Sequence, residues 1–411
     1  MITLDKISFS QALDLCLENT SETIIKKQVF IYDALKEFIA EDVKAERNSP
    51  AFTNSAMDGF AFKHSDNRQL KVVKTIYAGD KYKDFDIKEN ECVRIMTGAR
   101  VPEGLDTVIP IEKCISVTDN EIEIPEIKKG SNVRLKGEEF AKGDVLIQKG
   151  TEITPEIIAM LVNQGIVNIN IYVKPKIAIL STGNELKDPW ENADEDEVYN
   201  INSHAIKMLL KKHGFKADII GIIPDTLDKT VEFIKTLKTK YDVIITSGGI
   251  SFGDADFLYE AYLKNGLKPL FHGIMVKPGR PTMAGIMDNV FVFALPGNPL
   301  SSYINAFGLV IPTLRKLSGA DAYYHNIVLA ENLKDFKVNP KKDHTILGKY
   351  ENGKWEAYNG YKYGSGMLSP LINSNSLMIL NKGKEIIKKG ETVRIVPFEC
   401  SFGKKCFTFN T

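Results

Sequence analysis

The sequence predicts a multidomain protein that combines a doubly wound α/β domain with β domains, and three observations support this. The chain has 411 residues, and single domains usually hold about 50–200. Between residues 175 and 322, short apolar runs alternate with amphipathic helical stretches, the pattern of an open α/β sheet. Segments 46–140 and 323–411 consist of short strand-like runs between Gly, Pro, Asp and Asn, which is typical of small β domains.

The N-terminal region is predicted to be helical. Ser10 is the expected cap of a first helix, and apolar residues between 29 and 39 suggest a second. A further helix is predicted at 154–164, where Thr154 precedes a proline at the first helical position. We therefore assign residues 1–45 and 141–174 to one helical linking domain, with a small β domain of residues 46–140 inserted into it.

Residues 175–322 are predicted to form the α/β domain. Apolar runs at 176–180, 217–223 and 241–246 are typical of buried parallel strands, and helical stretches lie between them, the first starting at Asn202. Two further runs flank Met287-Asp288-Asn289, a hairpin signal. Beyond this domain no long helical period remains, so residues 323–411 are predicted to form an all-β, barrel-like domain.

Composition excludes several classes of function. The 53 basic and 53 acidic residues cancel, which argues against nucleic acid as a partner because a phosphate backbone is bound by a net basic surface. The five cysteines include no C-x-x-C pair and no zinc-ligand spacing, as expected for reduced thiols. Neither a secretory signal nor a long apolar run is present, so we expect a cytoplasmic protein without a membrane segment.

A glycine-rich segment carries the strongest ligand signal. Residues 246–256 follow a buried strand and precede a helix, and open α/β sheets bind ligands beyond the carboxyl ends of their strands. Gly248 and Gly249 lack Cβ atoms, so backbone N–H groups can approach an anion, and Ser247 and Ser251 add hydroxyl groups. A glycine-rich connection without a ligand is the alternative. No G-x-G-x-x-G or Walker motif is present.

Polar residues at three other strand ends are expected at the same edge. Glu185 follows the first strand and Asp225 the second, and with Asp254 and Asp256 they would repel a phosphate unless a hard cation such as Mg²⁺ intervenes. The sequence does not decide which carboxylates converge. The stiff turn Pro296-Gly297-Asn298-Pro299, followed by Ser301, suits recognition of a flat heterocycle. A purely structural turn is the alternative.

The segment Val276-Lys277-Pro278-Gly279-Arg280-Pro281 places two cations on a loop stiffened by proline. Such a loop suits a phosphate or another oxyanion. A solvated surface loop is the alternative interpretation.

Motifs spread along the chain resemble the MoeA family of molybdopterin molybdenumtransferases, to which the E domain of gephyrin is related. Each motif alone is a weak signal, but their occurrence in the family's order is specific. They are Ser55–Ala61, Arg94–Ala99, Arg134 with Gly137-Glu138-Glu139, Ser181–Leu186, Ser247–Asp256, Lys277–Pro281, Pro296–Pro299 and Gly364-Ser365-Gly366.

The resemblance implies a pterin site on the α/β domain and a homodimer joined through the linking domain, in which the partner's β domain contributes to the site. It implies adenylylated molybdopterin and molybdate as substrates, Mg²⁺ as cofactor, and the upstream adenylyltransferase as a further partner. AMP is released, and the dithiolene sulfurs bind the molybdenum. The implied catalytic residues are Asp225, Asp256, Glu185 and Lys277, with the cation on Asp225, Asp256 and Glu185. The implied substrate-binding residues are Asp58, Thr97, Arg134, Glu139, Ser247, Gly248, Gly249, Arg280, Pro296, Gly297, Asn298, Ser301 and Ser365.

The sequence departs from the family pattern at three places. Glu139 stands where aspartate is usual, and Arg280 replaces the more common lysine. The terminal domain lacks an arginine between Arg315 and Arg394, so Lys342 or Lys349 is the candidate replacement near the oxyanion. Two other functions remain as alternatives: a molybdopterin adenylyltransferase, which shares the α/β fold but is a single domain, and a non-catalytic scaffold of the gephyrin type.

Overall fold

The computed structural model describes residues 7–23, 25–81, 86–183, 185–223, 226–249, 257–399 and 402–403. They fall into two compact units. The first comprises Met1–Glu41, Lys149–Pro155 and Asn168–Thr411, and the second comprises Asp42–Gln148 and Glu156–Val167. The finer division into four domains with the boundaries given above stays a prediction.

The first helix lies at Phe9–Glu18, and its cap is Ser8 rather than the expected Ser10. The Ser8 hydroxyl accepts a hydrogen bond from the Gln11 backbone N–H, and the Gln11 side chain accepts one from the Ser8 N–H. This reciprocal capping box stabilises the start of the helix. The prediction was wrong by two residues because both serines precede an apolar periodic stretch.

The second N-terminal helix is absent from the described residues. The chain instead forms the strand Lys26–Phe30, which pairs antiparallel with Asn168–Tyr172, and a short 3-10 turn at Ile31–Asp33. Leu35, placed on the buried stripe of the predicted helix, is 49% exposed. Backbone pairing with a distant strand therefore overrides the local helical period.

The α/β domain contains a six-stranded sheet. Its first four strands run parallel, the fourth and fifth form the predicted hairpin, and the sixth pairs antiparallel with the fifth at the edge. In spatial order the strands are Ala217–Ile222, Ile177–Ser181, Val243–Ser247, Val290–Leu295, Met283–Met287 and Leu267–His272. The chain runs from the second strand of this order to the first and then back to the third. The topological switch point therefore lies between the ends of the second and third strands, Ser181 and Ser247, which is where ligands bind in open α/β sheets.

Helices cover both faces of this sheet. Alternate residues of each strand join two different apolar cores, because side chains of a strand point to opposite faces. Ile179 and Ile245 pack with Ile206 and Leu209 in one core, while Leu180 and Ile244 pack with other helices in the second. The helices are Ile201–Lys212, Leu227–Leu237, Phe257–Lys264, Pro299–Asn305 and Ile311–Leu317, the last two joined by the π-helical turn Ala306–Val310. The first begins at Ile201, one residue before the predicted start.

The C-terminal strands close into a barrel, as predicted. Five strands pair in a ring, and Val276–Lys277 from the α/β domain adds a sixth, parallel to the start of Asp343–Glu351. In ring order they are Asp343–Glu351, Lys354–Ala357, Val328–Asn332, Thr392–Pro397 and Ser376–Leu380, which pairs back with the first. Short pieces complete the region at Tyr324–His325 with Phe402–Gly403, Phe336–Lys337 with Ile386–Ile387, Tyr358–Tyr361 and Ser369–Ile372.

The second unit is built on another six-stranded sheet, where the sequence predicts the inserted β domain. Its strands in spatial order are Thr107–Pro110, Gly59–Phe62, Glu91–Ile95, Gln69–Ile76, Glu121–Glu123 and Ser116–Val117. Two-stranded ribbons (Asn54–Ser55 with Val133–Arg134, and Val43–Lys44 with Val145–Ile147) and the helix Pro155–Asn163 complete the unit. Within the described residues of both units, no helix has the length and apolar character needed to cross a membrane.

Candidate active site

Three strand ends of the α/β sheet are tied together at its carboxyl edge. The backbone N–H of Thr182 donates to the carbonyl of Ser247 at 3.1 Å, and the N–H of Gly248 donates to that of Leu295 at 3.1 Å. The predicted convergence of the segments after these strands is therefore confirmed for Ser181, Ser247 and Leu295.

Gly248 and Gly249 are required by the close approach of Thr182. A Cβ atom on either glycine would lie 2.6 or 2.7 Å from the Thr182 hydroxyl oxygen, and both residues have positive φ angles of 87° and 63°. A side chain at either position would collide with Thr182 and strain the backbone. This packing explains the glycines structurally, and their contact with a ligand stays a prediction.

Asn202 connects the glycine loop with the Pro-Gly-Asn-Pro turn. Its side-chain nitrogen donates to the Ser247 hydroxyl and to the Gly297 carbonyl, both at 2.7 Å. The Ser247 hydroxyl in turn donates to the Pro296 carbonyl at 3.1 Å. Because Ser247 is buried and its proton is used inside the protein, it positions the turn, and its direct contact with a ligand stays a prediction.

A cavity of about 700 Å³ opens beside this turn. Among its described lining residues are four cationic side chains and no carboxylate; the cations are Lys277, Arg280, Lys341 and Lys342. Asn298, Ser301, Ser365, Tyr361 and Tyr363 add polar groups, and Pro296 forms part of the wall. A cavity with fixed positive charge and no competing acid favours anions, since the attraction is not cancelled locally.

The side chain of Asn305 fixes the backbone of the cationic loop Val276–Pro281. Gly279 has a φ of 108°, and a Cβ atom there would lie 2.6 Å from the Asn305 side-chain nitrogen. That nitrogen donates to the Gly279 carbonyl at 3.1 Å, and the Thr282 hydroxyl donates to the same carbonyl at 2.7 Å. The loop backbone is thus fixed, while Lys277 and Arg280 are exposed and form no ion pair with any residue that the structure describes.

The barrel supplies the opposite wall of the cavity. Lys341 and Lys342 lie just before the strand Asp343–Glu351, with which Val276–Lys277 pairs. Lys349 instead lies 3.5 Å from Glu351 and lines a separate surface groove. Of the two candidate replacements for the missing arginine, the structure therefore brings Lys342 to the cavity and leaves Lys349 away from it.

In the second unit, Asp58 and Thr97 meet at one end of the sheet. One Asp58 carboxylate oxygen accepts hydrogen bonds from the Thr97 hydroxyl at 2.7 Å and from the Thr97 N–H at 2.6 Å. These bonds lower the pKa of Asp58 below its usual range. Arg134 is exposed on the ribbon beside Asn54, and Glu139 accepts a hydrogen bond from Ser49 at 2.7 Å.

The comparisons with known proteins agree along the whole chain. Residues 7–165 match the MoeA N-terminal region (domain I and II), residues 178–316 a probable molybdopterin binding domain, and residues 329–398 the MoeA C-terminal region (domain IV). A molybdopterin molybdenumtransferase of Haemophilus influenzae is 32% identical over 98% of this chain and 100% of its own length. The chain belongs to the MoeA family of molybdopterin molybdenumtransferases.

Other MoeA relatives are similar in sequence and in structure. A molybdopterin molybdenumtransferase of Staphylococcus aureus is 31% identical, with 92% of each chain covered. The crystal structure of the molybdopterin biosynthesis MoeA protein from Pyrococcus horikoshii OT3 has a TM-score of 0.84 at 28% identity and covers 96% of this chain and 100% of its own. The fold class predicted from the sequence is thereby confirmed.

The implied MoeA site residues divide into three groups in this structure. Lys277, Arg280, Pro296, Asn298, Ser301 and Ser365 line the cavity. Ser247, Gly248, Gly249 and Gly297 lie at the neighbouring strand ends, and Asp58, Thr97, Arg134 and Glu139 lie in the second unit. Asp225 and Asp256 fall outside the described residues, as do Ser251 and Asp254.

Glu185 is the one predicted cation ligand that the structure describes. Its side chain is exposed and reaches back over Gly183, where a Cβ atom would lie 2.5 Å from its carboxylate oxygen. It therefore stays at the carboxyl edge of the sheet. No group of three His, Cys, Asp or Glu side chains among the described residues could hold a metal ion, a finding that does not extend to Asp225 and Asp256.

Sequence reasoning missed four residues of this region of the MoeA fold: Asn202, Lys341, Tyr361 and Tyr363. Lys341 had a usable signal, because Pro340-Lys341-Lys342 is a second cationic segment that begins with proline. Asn202 was used only as a helix-start signal, and its side chain bridges two loops far apart in sequence. Nothing in the local pattern separates the two tyrosines from core aromatic residues.

Proposed function

We propose that this chain inserts molybdenum from molybdate into adenylylated molybdopterin, with release of AMP. The observation that carries the proposal is the cationic cavity between the loop of Lys277 and the barrel, lined by four cations and no described carboxylate. It lies beside the turn Pro296–Pro299 of a chain whose relatives are named molybdopterin molybdenumtransferases.

The charge of the cavity suits a reaction between two anions. Molybdate carries two negative charges and must approach a substrate with its own phosphates. Two unit charges about 4 Å apart repel by roughly 4 kcal/mol at an effective dielectric near 20. Lys277, Arg280 and Lys342 offset this repulsion because their charges are already in place before the anion arrives.

The other polar groups of this region suit the pterin and its phosphate. The turn Pro296–Pro299 is braced by Asn202 beside the glycine loop at the carboxyl edge of the sheet, where it can contact the flat pterin. Backbone N–H groups of the glycine loop are suited to the pterin phosphate. The dithiolene sulfurs hold the molybdenum, which agrees with the lack of a Cys or His cluster in the described part of the chain.

Mg²⁺ is part of the proposal. Glu185 fits such a cation because carboxylate oxygen is its preferred protein ligand and because its carboxylate has no cationic partner among the described residues. Asp225 and Asp256 are the proposed partner ligands. When bound, the cation would neutralise the phosphates of the substrate.

We further propose that the working form is a cytoplasmic homodimer. Asp58, Thr97 and Arg134 are exposed polar groups at one end of the second unit, and they would complete the site of the partner subunit. The described cysteines, Cys16, Cys92 and Cys114, are unpaired thiols, which suits a reducing compartment. The upstream adenylyltransferase would deliver the adenylated pterin to the cavity.

Incubation with adenylylated molybdopterin, Mg²⁺ and molybdate tests the function directly. We expect AMP release and molybdenum bound to the pterin, both measured in the same reaction. An adenylyltransferase would instead form the adenylate from molybdopterin and ATP, and a scaffold would do neither. Lys349→Ala is the matched control for Lys342→Ala, because the two lysines lie close in sequence and only Lys342 lines the cavity.

A further inference from the structure

A strained turn in the barrel faces the cationic loop. Asn359, Gly360 and Tyr361 all have positive φ angles, of 47°, 58° and 64°. For a bulky residue such as tyrosine this conformation is an outlier. It persists only where the surroundings impose it, and such residues cluster at functional sites. The contacts of Tyr361 therefore indicate what the turn is for.

The Tyr361 hydroxyl makes two hydrogen bonds with fixed directions. It lies 3.1 Å from the carbonyl oxygen of Lys277 and 2.8 Å from Nδ1 of His344. A carbonyl can only accept, so the single phenol proton goes to Lys277, and Nδ1 of His344 must donate. The hydrogen bonds thus run from Nδ1 of His344 to the Tyr361 hydroxyl and from this hydroxyl to the Lys277 carbonyl.

Both ring nitrogens of His344 have hydrogen-bond partners. The ring is buried, and its Nε2 lies 2.9 Å from the carbonyl oxygen and 3.1 Å from the backbone nitrogen of Asn339, so Nε2 can donate to the first or accept from the second. Burial lowers the pKa of His344, and the nearby ammonium groups of Lys277 and Lys342 act in the same direction, whereas the hydrogen bond with the Asn339 backbone and the Asp343 carboxylate oppose this shift. With its proton on Nδ1, the neutral ring donates to the Tyr361 hydroxyl and directs the Tyr361 proton toward Lys277.

The backbone of Lys277 needs such a partner. Val276–Lys277 pairs with Asp343 and His344, but the next residue is Pro278, which has no N–H and cannot extend the pairing. Asn305 and Thr282 fix the loop at Gly279, and Tyr361 fixes it at Lys277. The first anchor comes from the α/β domain and the second from the barrel.

We propose that Tyr361, oriented by His344, is a positioning residue that fixes the carbonyl of Lys277 and thereby holds the Lys277 ammonium at the cavity wall for a bound oxyanion. The hydroxyl itself does not contact the anion. That the anion is molybdate rests on the proposed function, whereas the anchoring of the loop does not.

Tyr361→Phe removes the hydroxyl and keeps the ring. Losing this hydrogen bond should weaken binding of molybdate alone by about five-fold, raise the molybdate concentration for half-maximal insertion by the same factor, and leave the saturated rate unchanged. Amide hydrogen exchange in residues 274–282 should become faster. Tyr358→Phe is the matched control, because Tyr358 lies in the same turn and no hydrogen bond from its hydroxyl is present within the described residues.

A double variant separates positioning from direct contact. When Lys277→Ala is already present, adding Tyr361→Phe should change molybdate affinity by less than two-fold, since the residue being positioned is gone. A full additional five-fold loss would show that Tyr361 acts on the anion by another route and would overturn the proposal. Unchanged hydrogen exchange in Tyr361→Phe would also overturn it.

The same measurements separate this inference from the proposed function. If the wild-type protein inserts no molybdenum but Tyr361→Phe speeds exchange in residues 274–282 and weakens molybdate binding, the positioning role stands and the proposed reaction fails. If insertion occurs and Tyr361→Phe equals Tyr358→Phe in every measurement, the reaction stands and the positioning role fails.

Discussion

Asn202 and Ser247 are joined by a hydrogen bond of 2.7 Å from the side-chain nitrogen to the hydroxyl oxygen. The same nitrogen reaches the Gly297 carbonyl at 2.7 Å. Asn202 lies in the first turn of the helix Ile201–Lys212, which is packed on the sheet through Ile206 and Leu209. A helix packed on the sheet thus sets the distance between the two loops proposed to hold the pterin.

Asn202→Ala should weaken pterin binding without unfolding the protein. Both bonds are lost and the Gly297 carbonyl is released, which should lower affinity for adenylylated molybdopterin by roughly 1–3 kcal/mol, or about 5- to 150-fold. Equilibrium binding of the substrate measures this. Met208→Ala, at a 52% exposed site on the same helix, should bind normally, and equal affinities of the two variants would contradict the bracing role.

Lys342→Ala should impair the use of molybdate more than the binding of pterin. Losing one charge-assisted contact costs about 1.5–3 kcal/mol, so the molybdate concentration for half-maximal insertion should rise roughly 10- to 150-fold. We expect the same for Lys277→Ala. Lys349→Ala should behave as wild type, because that lysine is exposed and paired with Glu351. A collapse of pterin affinity in the Lys277 or Lys342 variant would instead assign its lysine to the pterin phosphate.

Removal of Mg²⁺ should stop insertion, and added Mg²⁺ should restore it. Asp225→Ala and Asp256→Ala should each abolish turnover with the fold intact, because carboxylates beside phosphate need the cation between them. Glu185→Gln should raise the Mg²⁺ concentration required, which a titration of AMP release against Mg²⁺ measures. Near-normal turnover in both aspartate variants would remove those residues from the mechanism.

Mixing Lys277→Ala with Arg134→Ala should restore part of the activity. If each site combines Lys277 of one subunit with Arg134 of its partner, a heterodimer has one intact site and one doubly altered site. Random assortment of equal amounts then gives about a quarter of wild-type activity. Tagged subunits confirm that heterodimers form, and activity no higher than that of the separate variants would argue against shared sites.

Acid should destabilise the protein through two partly buried histidines. Burial lowers the pKa of His325 to about 4 and that of His213 to about 3, from 6.5. The unfolded chain therefore binds more protons between these values, and stability falls as pH falls below about 6.5, by up to about 1.4 kcal/mol per pH unit for each histidine. The loss ends near pH 4 for His325 and near pH 3 for His213.

Denaturant unfolding across this pH range measures the effect. His325→Gln can keep the hydrogen bond that Nε2 makes with the Phe307 carbonyl at 2.8 Å, but it cannot be protonated. Its stability should decline less steeply with falling pH than that of wild type. Parallel curves would show that His325 does not carry the acid sensitivity.

Most of the α/β domain could be predicted from sequence because its strands are continuous apolar runs that end in Gly, Ser or Pro. Ser247 and Leu295 were placed at one edge by this pattern alone, and the structure confirms it. The N-terminal strand Lys26–Phe30 could not be predicted, since its pairing partner lies more than a hundred residues away.

The site was predictable where charged residues and prolines lie together in a short segment, as at Lys277–Pro281. It was not predictable where a side chain acts across sequence-distant elements. Tyr361 owes its position to three consecutive left-handed residues, of which Asn359 and Gly360 have a sequence signal and Tyr361 has none. Asn202 and His344 likewise act through contacts that appear only once the sheet and barrel have formed.

The sixth barrel strand, Val276–Lys277, has a consequence for dissecting the protein. A fragment that ends near residue 322 would retain every strand of the α/β sheet but would lose the partner of Val276–Lys277, leaving an unpaired backbone edge next to the cations. Lys277 would then lose its anchors in the barrel, and the fragment should bind oxyanions poorly even when its sheet is native. The barrel is therefore a structural part of the proposed anion site, and substitutions at Tyr361 or His344 would present in a genetic screen as a requirement for more molybdate.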